Sequence, residues 1–321
     1  MTPLPTSLFR VANARFPEKV LEFGGRYFAL ESSNHRVLVL NRAKTPVGQI
    51  GRIGDGVGEF YYPSDIAIDR QGNLYVLEAR KKRVQVFDQD AKVRSSFYVE
   101  TQPYGIVVNS KQEILLGMPL GGALVSVYAR DGHRLRSFGN LRTMSDFYGA
   151  PLRTLDKGYR VAINRVSLAV ANDDSVFTAF VGSPFTDKFD PDGHRVWERE
   201  FPAIGARVVG AYTKTQKSPH LMTWPTDGGV SIPFVGTGIA VDNCGRLFWS
   251  VQWDGAWIGE YDLAGNFVHA FEPSDRAIFF RNITLSEDGG FLLAPGFINA
   301  DAVHNTYLLR LPNPPCNEKT F

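Results

Sequence analysis

Cysteine is scarce in this chain: Cys244 and Cys316 are the only two among 321 residues. Two thiols support neither a disulfide scaffold nor a multi-cysteine zinc cluster. They leave two readings open, one bridge pinning the C-terminal tail Pro312–Phe321 or two unrelated reduced thiols. Long apolar runs are missing as well, and none approaches the roughly 18 residues of a membrane span. Residues 1–16 hold Arg10 and Arg15 but no apolar signal core, so the expectation is a soluble protein, cytoplasmic or exported without its signal. Charge of one sign is not in excess, with 35 basic and 33 acidic side chains and a net charge of +2. That balance gives no electrostatic reason to expect nucleic acid or an anionic membrane as partner. Gly-x-Ser-x-Gly, His-Glu-x-x-His and Cys-x-x-Cys are all absent, which removes the common nucleophile and metal signatures. No catalytic residue is assigned on this basis, and neither a cofactor nor a resident metal is expected.

What the chain has is a repeat. Aromatics make up 12% and glycine contributes 31 residues, a composition suited to short strands joined by tight turns. The clearest unit runs from Gly54 to Lys92, GDGVGEFYYPSDIAIDRQGNLYVLEARKKRVQVFDQDAK. A Gly-rich turn and Pro63 lead into strand a (Asp65–Asp69), then strands b (Leu74–Glu78), c (Arg83–Asp88) and d (Lys92–Val99). Further copies open at PYGIVVNSKQEILLG, RVSLAVANDDSVFTAF and GTGIAVDNCGRLFWSV, with weaker ones at both ends of the chain. The b strands are expected to begin near Tyr27, Leu74, Ile114, Val176, Leu247 and Phe291. Six such units closed in a ring make an all-β, six-bladed β-propeller of four-stranded antiparallel blades, filling residues 1–321 as one domain. After Leu311 comes Pro-Asn-Pro-Pro, which cannot supply a paired strand. The missing fourth strand of the last blade is therefore assigned to Leu8–Phe16, an N-terminal strand that closes the ring.

The unit resembles an NHL repeat. Gly56, Gly58, Phe60 and Pro63 are followed by Ile66, Asp69, Gly72, Asn73, Tyr75 and Val76, then by Val84, Val86, Phe87 and Asp88. The resemblance is closest there, fair at 105–132 and 238–266, and architectural elsewhere. It implies a six-bladed propeller used to recognise protein, RNA or small molecules, with lyase or hydrolase chemistry in some relatives. The WD type fits poorly: Trp253-Asp254 is the sole such dipeptide, and it falls in a b–c loop.

Several motifs have plain structural readings. Asp69, Asp88, Asp131, Asp190, Asp192, Asp242 and Asp262 mostly precede a glycine in hairpin turns, where the carboxylate caps its own backbone. Gly54-Asp-Gly-Val-Gly58 lacks phosphate-loop spacing and reads as a turn between blades. The run Arg80-Lys81-Lys82-Arg83 reads as a solvated loop. Trp249 and Trp257 are expected in the core, with Trp253 at the rim.

Function is expected where the repeat is interrupted, at 141–165 and 202–236. Both are d-to-a connections, which share one face with the b–c loops, and connections this long are commonly functional. Ligand-binding candidates on that face are His35, Arg80, Tyr148, Arg160, Arg165, His220, Trp224, Trp253, Asp254 and His304. The leading expectation is recognition of a small molecule, peptide or protein there. The alternative is a metal-dependent lyase or hydrolase at the same central depression, with His35, His220 and His304 as ligands to a zinc ion.

Overall fold

The computed structural model describes residues 2–4, 6–9, 17–143, 157–200, 223–225, 231–233, 236–252, 256–273, 278–298 and 305–311. Within them the polypeptide forms six antiparallel sheets arranged as the blades of a β-propeller. Blade one consists of Lys19–Phe23, Arg26–Glu31, Arg36–Leu40 and Pro46–Ile50. Blade two consists of Asp65–Ile68, Leu74–Glu78, Arg83–Phe87 and Val93–Tyr98, and blade three of Ile106–Val108, Ile114–Gly117, Val125–Tyr128 and Arg134–Phe138. Blade four comprises Val166–Val170, Val176–Phe180, Phe185–Phe189 and Arg195–Glu200, and blade five Gly236–Val241, Leu247–Gln252, Ala256–Tyr261 and Phe267–Pro273. In blade six the inner strand is interrupted, Ile278–Phe280 and then Thr284–Leu285, before Phe291–Ile298 and Asn305–Arg310. Every b strand lies where the repeat places it.

The inner strands neighbour one another in sequence order, and Thr284–Leu285 of blade six lies beside Lys19–Phe23 of blade one. The fourth position of blade six is filled by Thr6–Phe9, antiparallel to Asn305–Arg310, with Thr6 opposite Leu309 and Phe9 opposite Thr306. That is N-terminal to most of the assigned Leu8–Phe16, of which residues 10–16 lie outside the described set. Just before it, Thr2–Leu4 runs parallel to the outer strand of blade five, Thr2 facing Phe271. The N-terminal stretch thus pairs with two adjacent blades.

Burial follows from the stacking of blade on blade. A b strand has neighbouring blades against both its faces, so Leu74–Glu78, Val176–Phe180 and Leu247–Gln252 are buried at every position. An outer strand keeps a solvent face, and Val93–Tyr98 alternates accordingly. Trp249 is fully buried, and Trp257 packs against the same core while partly exposed; a fully buried large apolar side chain contributes about 1.5–3 kcal/mol.

The acidic turns behave as read. Asp69 Oδ1 accepts the amides of Gln71 and Asn73, and Asp88, Asp190 and Asp242 repeat the pattern. Each such turn closes with a left-handed residue whose amide donates three positions back, as Gly72 does to the Asp69 carbonyl at 2.9 Å. In blades three and four that left-handed position is held by Gln112 and Asp174 instead of glycine. Cys244, in the a–b turn of blade five, is disulfide-bonded; Cys316 is the other cysteine of the sequence.

Two expectations are corrected. The insertion 141–165 contains an α-helix, α1 (Lys157–Asn164), where only β-structure and loop were anticipated. Its Val161, Ala162 and Ile163 are buried, and Asn164 donates to the carbonyls of Arg142 and Arg160. The basic run 80–83 is not a solvated loop as a whole. Arg83 is buried, its Nε 2.5 Å from Glu78 Oε2, and its other nitrogens donate to the carbonyls of Asp55, Gly56 and Glu59. Lys81 is ion-paired with Asp55 and donates to the Gly54 carbonyl. The Gly54–Gly58 turn spends its amides on its own fold, on Phe60, Glu59 and Gln85.

Candidate functional site

Because strands a and b are antiparallel, the first residues of every a strand lie beside the last residues of its b strand: Asp65 faces Leu77, Val166 faces Phe180, and Gly236 faces Val251. These ends form the face that carries the b–c loops and both long insertions. At the ring centre on this face is a cavity of about 290 Å³. All six blades line it near the start of their inner strands: Lys19, Asp65, Gly105, Val166, Thr237 and Asn282.

Polar groups around the cavity are organised into pairs. Lys19 Nζ lies 2.9 Å from Asp65 Oδ1, and Asp65 also accepts the amides of Ile66 and Ile106, binding three blades together. Arg281 Nη1 donates to both carboxylate oxygens of Glu18, at 2.7 and 2.6 Å. The hydroxyls of Thr237 and Ser250 are 2.6 Å apart. Arg165 is the residue that follows α1, its amide bonded to the Val161 carbonyl and its guanidinium 5.4 Å from the Tyr104 ring centre. Burial draws the Arg165 guanidinium below its ordinary range, opposed by Tyr104, Asp65 and Glu18; burial also raises the Tyr104 phenol. Gln252, at the end of strand b in blade five, is 3% exposed. Its Nε2 donates to the Ile278 carbonyl, whereas Oε1 is buried without a hydrogen-bond partner among the described residues. The apolar wall comes from Val166, Leu168, Val181, Phe279 and Phe280.

Of the residues nominated from sequence, Arg165 lines this cavity. His35 and Arg80 both contact Tyr62, in the connection between blades one and two. The Tyr62 amide donates to His35 Nδ1 at 3.0 Å, and Arg80 stacks over the Tyr62 ring at 5.4 Å. Arg160 is exposed on α1. Trp224 sits in a short strand, Thr223–Pro225, paired with Ser231–Pro233, and nothing more is described of its side chain. Tyr148, His220, Trp253, Asp254 and His304 lie outside the described residues. Among the described residues no group of three or more His, Cys, Asp or Glu side chains could hold a metal ion; His220 and His304 are not among them. No helix there is long and apolar enough to cross a membrane.

Sequence reasoning passed over Glu18, Lys19, Asp65, Tyr104, Gln252 and Arg281. Their common signal is position within the repeat, at or just before the start of strand a or at the end of strand b, rather than any motif.

Comparison with known proteins agrees on architecture. A family profile described as a 6-bladed beta-propeller, DUF5128, matches residues 14–111. No curated protein matches the chain in sequence. A virginiamycin B lyase from Staphylococcus aureus superposes with a TM-score of 0.56 at 12% identity, over 96% of this chain and 89% of the lyase. The WD40 repeats of RRP9 give 0.61 at 10% identity, over 97% and 99%. A putative exported protein from Bacteroides fragilis gives 0.61 at 11% identity, over 97% and 95%. At such identities the likeness is one of fold, and the fold of this chain is a six-bladed β-propeller.

Proposed function

We propose that this chain is a single-domain, NHL-type propeller that binds a small molecule in its central cavity, on the face bearing the b–c loops and the insertions 141–165 and 202–236. The observation that carries this reading is the convergence of all six inner strands on one cavity with charged and apolar walls. Its volume supports a small occupant. About 290 Å³ lies at the lower end of the roughly 300–1,000 Å³ of small-molecule sites, which suits a metabolite and not a folded partner. The polar groups are held by ion pairs and strand backbone instead of mobile loops, so the seat is organised before a ligand arrives.

The test is a thermal-shift screen of neutral, anionic and cationic metabolites against the wild type and Ser167→Trp, whose indole would fill the cavity. The expected outcome is a set of compounds that raise the melting temperature of the wild type but not of the filled variant. If every stabilising compound acts equally on both, the cavity is not the binding site.

A further inference from the structure

We infer a second ligand site, on the face of the a–b and c–d turns, where the groove between blades one and two takes a small arylalkyl amine or guanidine. It goes beyond the central-cavity reading and does not depend on it.

The other blades show what this junction lacks. At three successive junctions a side chain from the outer strand of one blade crosses to the c–d turn of the next. Ser95 Oγ donates to the Arg130 carbonyl at 2.9 Å, Arg136 Nη2 to the Pro191 carbonyl at 3.3 Å, and Arg199 Nε to the Gly265 carbonyl at 2.8 Å. Aromatic rings fill the space beside these bonds. A Cβ on Gly132 would lie 2.6 Å from Phe97, one on Gly193 2.5 Å from Phe138, and one on Gly265 2.7 Å from Trp197. Strand register identifies the counterparts in blade one. Ser95, Arg136 and Trp197 stand opposite Val86, Val127 and Lys188, each beside the bulge of its strand pair. In blade one that position is Gly48, opposite Val39, and Ile50 takes the place of Phe97 and Phe138. No atom lies within 4 Å of where a Cβ on Gly48 would sit. Small residues at both positions leave a groove of about 630 Å³, a volume suited to a small molecule.

The two walls set the chemistry of the occupant. Phe23, Phe28, Val39 and Leu74 make an apolar lining, matched to the rings that fill the other junctions. The turn Asp88–Ala91 of blade two makes the opposing wall, and it is rich in acceptors. Asp88, Ala129 and Asp190 each donate their amide four residues on, so the Gln89 carbonyl is the counterpart of the Arg130 and Pro191 carbonyls. No side chain among the described residues donates to it. Gln89 Nε2 is spent on the Gln71 carbonyl at 2.6 Å, which leaves Oε1 as an acceptor. Asp90 is exposed, and its carboxylate has no hydrogen bond or ion pair among the described residues. Ammonium and guanidinium groups carry several donors and no acceptor, and a carboxylate strengthens such contacts. Arg26 belongs to the blade-one wall, so its repulsion directs the cationic end of the ligand to the turn of blade two.

The probes are tryptamine, indole-3-propionate, which reverses the charge, and 3-ethylindole, which removes it. Calorimetric titration of the full chain is expected to show tryptamine binding at least about tenfold tighter than either analogue, the worth of one hydrogen bond to a charged group. Gly48→Trp puts an indole where blade four has Trp197, at a position without a left-handed φ. It should abolish tryptamine binding and raise the melting temperature. Asp90→Asn, at an exposed position, should weaken tryptamine by about fivefold and leave 3-ethylindole unchanged. Circular dichroism confirms that each variant folds. The inference is overturned if tryptamine does not bind, if indole-3-propionate binds as tightly, or if both variants keep wild-type affinity. Loss of tryptamine binding in Ser167→Trp but not in Gly48→Trp would move the amine to the central cavity, so that this inference falls while the central-cavity reading stands.

Discussion

Lys19 and Asp65 open the inner strands of adjacent blades, and their side chains meet at 2.9 Å in the wall of the central cavity. The pair is about nine-tenths buried, with side-chain exposures of 10% and 13%. Asp65 also caps the amides of Ile66 and Ile106. One carboxylate therefore fixes the approach of three blades.

Removing that carboxylate should be costly. Asp65→Ala leaves a buried ammonium and two amides without their acceptor, a change expected to destabilise the fold by about 3–5 kcal/mol. Asp65→Asn keeps an acceptor for one of the two amides and should lose less. Urea denaturation of the two variants measures the difference, and equal losses would mean that the amide caps contribute nothing.

Arg83 is predicted to hold the connection between blades one and two. Its guanidinium bonds Glu78 and the carbonyls of Asp55, Gly56 and Glu59, so Arg83→Met removes the closest cation from buried Glu78, which keeps Lys81, Gln85 and the Tyr61 amide, and should cost up to about 3 kcal/mol. Protease cleavage should appear between Asp55 and Glu59 in the variant and not in the wild type. A variant that resists cleavage there would show that the turn stands without its clamp.

Deleting residues 1–9 exposes the edge of Asn305–Arg310, which Thr6–Phe9 covers, and removes Thr2–Leu4 from blade five. An exposed edge invites association. The expected outcome is a lower melting temperature together with oligomers in size-exclusion chromatography. Unchanged melting and a monodisperse peak would show that the N-terminal strand is dispensable for ring closure.

Asp187 gives the pH dependence an unusual sign. Burial raises its pKa from 3.8 to about 6, even though Arg142 Nη2 lies 2.9 Å from Oδ1. Glu198, bonded to the same guanidinium, is held low, the contact with Arg142 outweighing its burial. A carboxyl whose folded pKa lies above its unfolded value contributes most when protonated, and that contribution fades as the pH rises through the folded pKa. From about pH 3.8 to about pH 6 the wild type should therefore lose stability relative to Asp187→Asn, and above that window the difference should be flat. Denaturation midpoints across the window check this, and parallel curves would sink it.

The architecture was legible because its signals are local and recur. Alternating apolar residues and Asp-x-x-Gly turns recur along the chain, and turn chemistry is decided within four or five residues. The repeat need not keep its glycine to be read: Gln112 and Asp174 occupy the left-handed turn position where other blades place glycine. Helix α1, by contrast, escaped notice. Eight residues are too few to hold a helix by propensity alone, and it is the packing of Val161, Ala162 and Ile163 onto the core that stabilises it.

By itself the sequence determined the number of blades, the position of every b strand and the face on which the insertions emerge, since each depends on contacts between near neighbours in the chain. Only the tertiary structure decided which side chains share the cavity. Glu18 and Arg281 are 263 residues apart, and Lys19 and Asp65 are 46 apart. Their meeting depends on ring closure, which brings the ends of distant strands to a common axis and leaves no trace in the spacing of any one repeat.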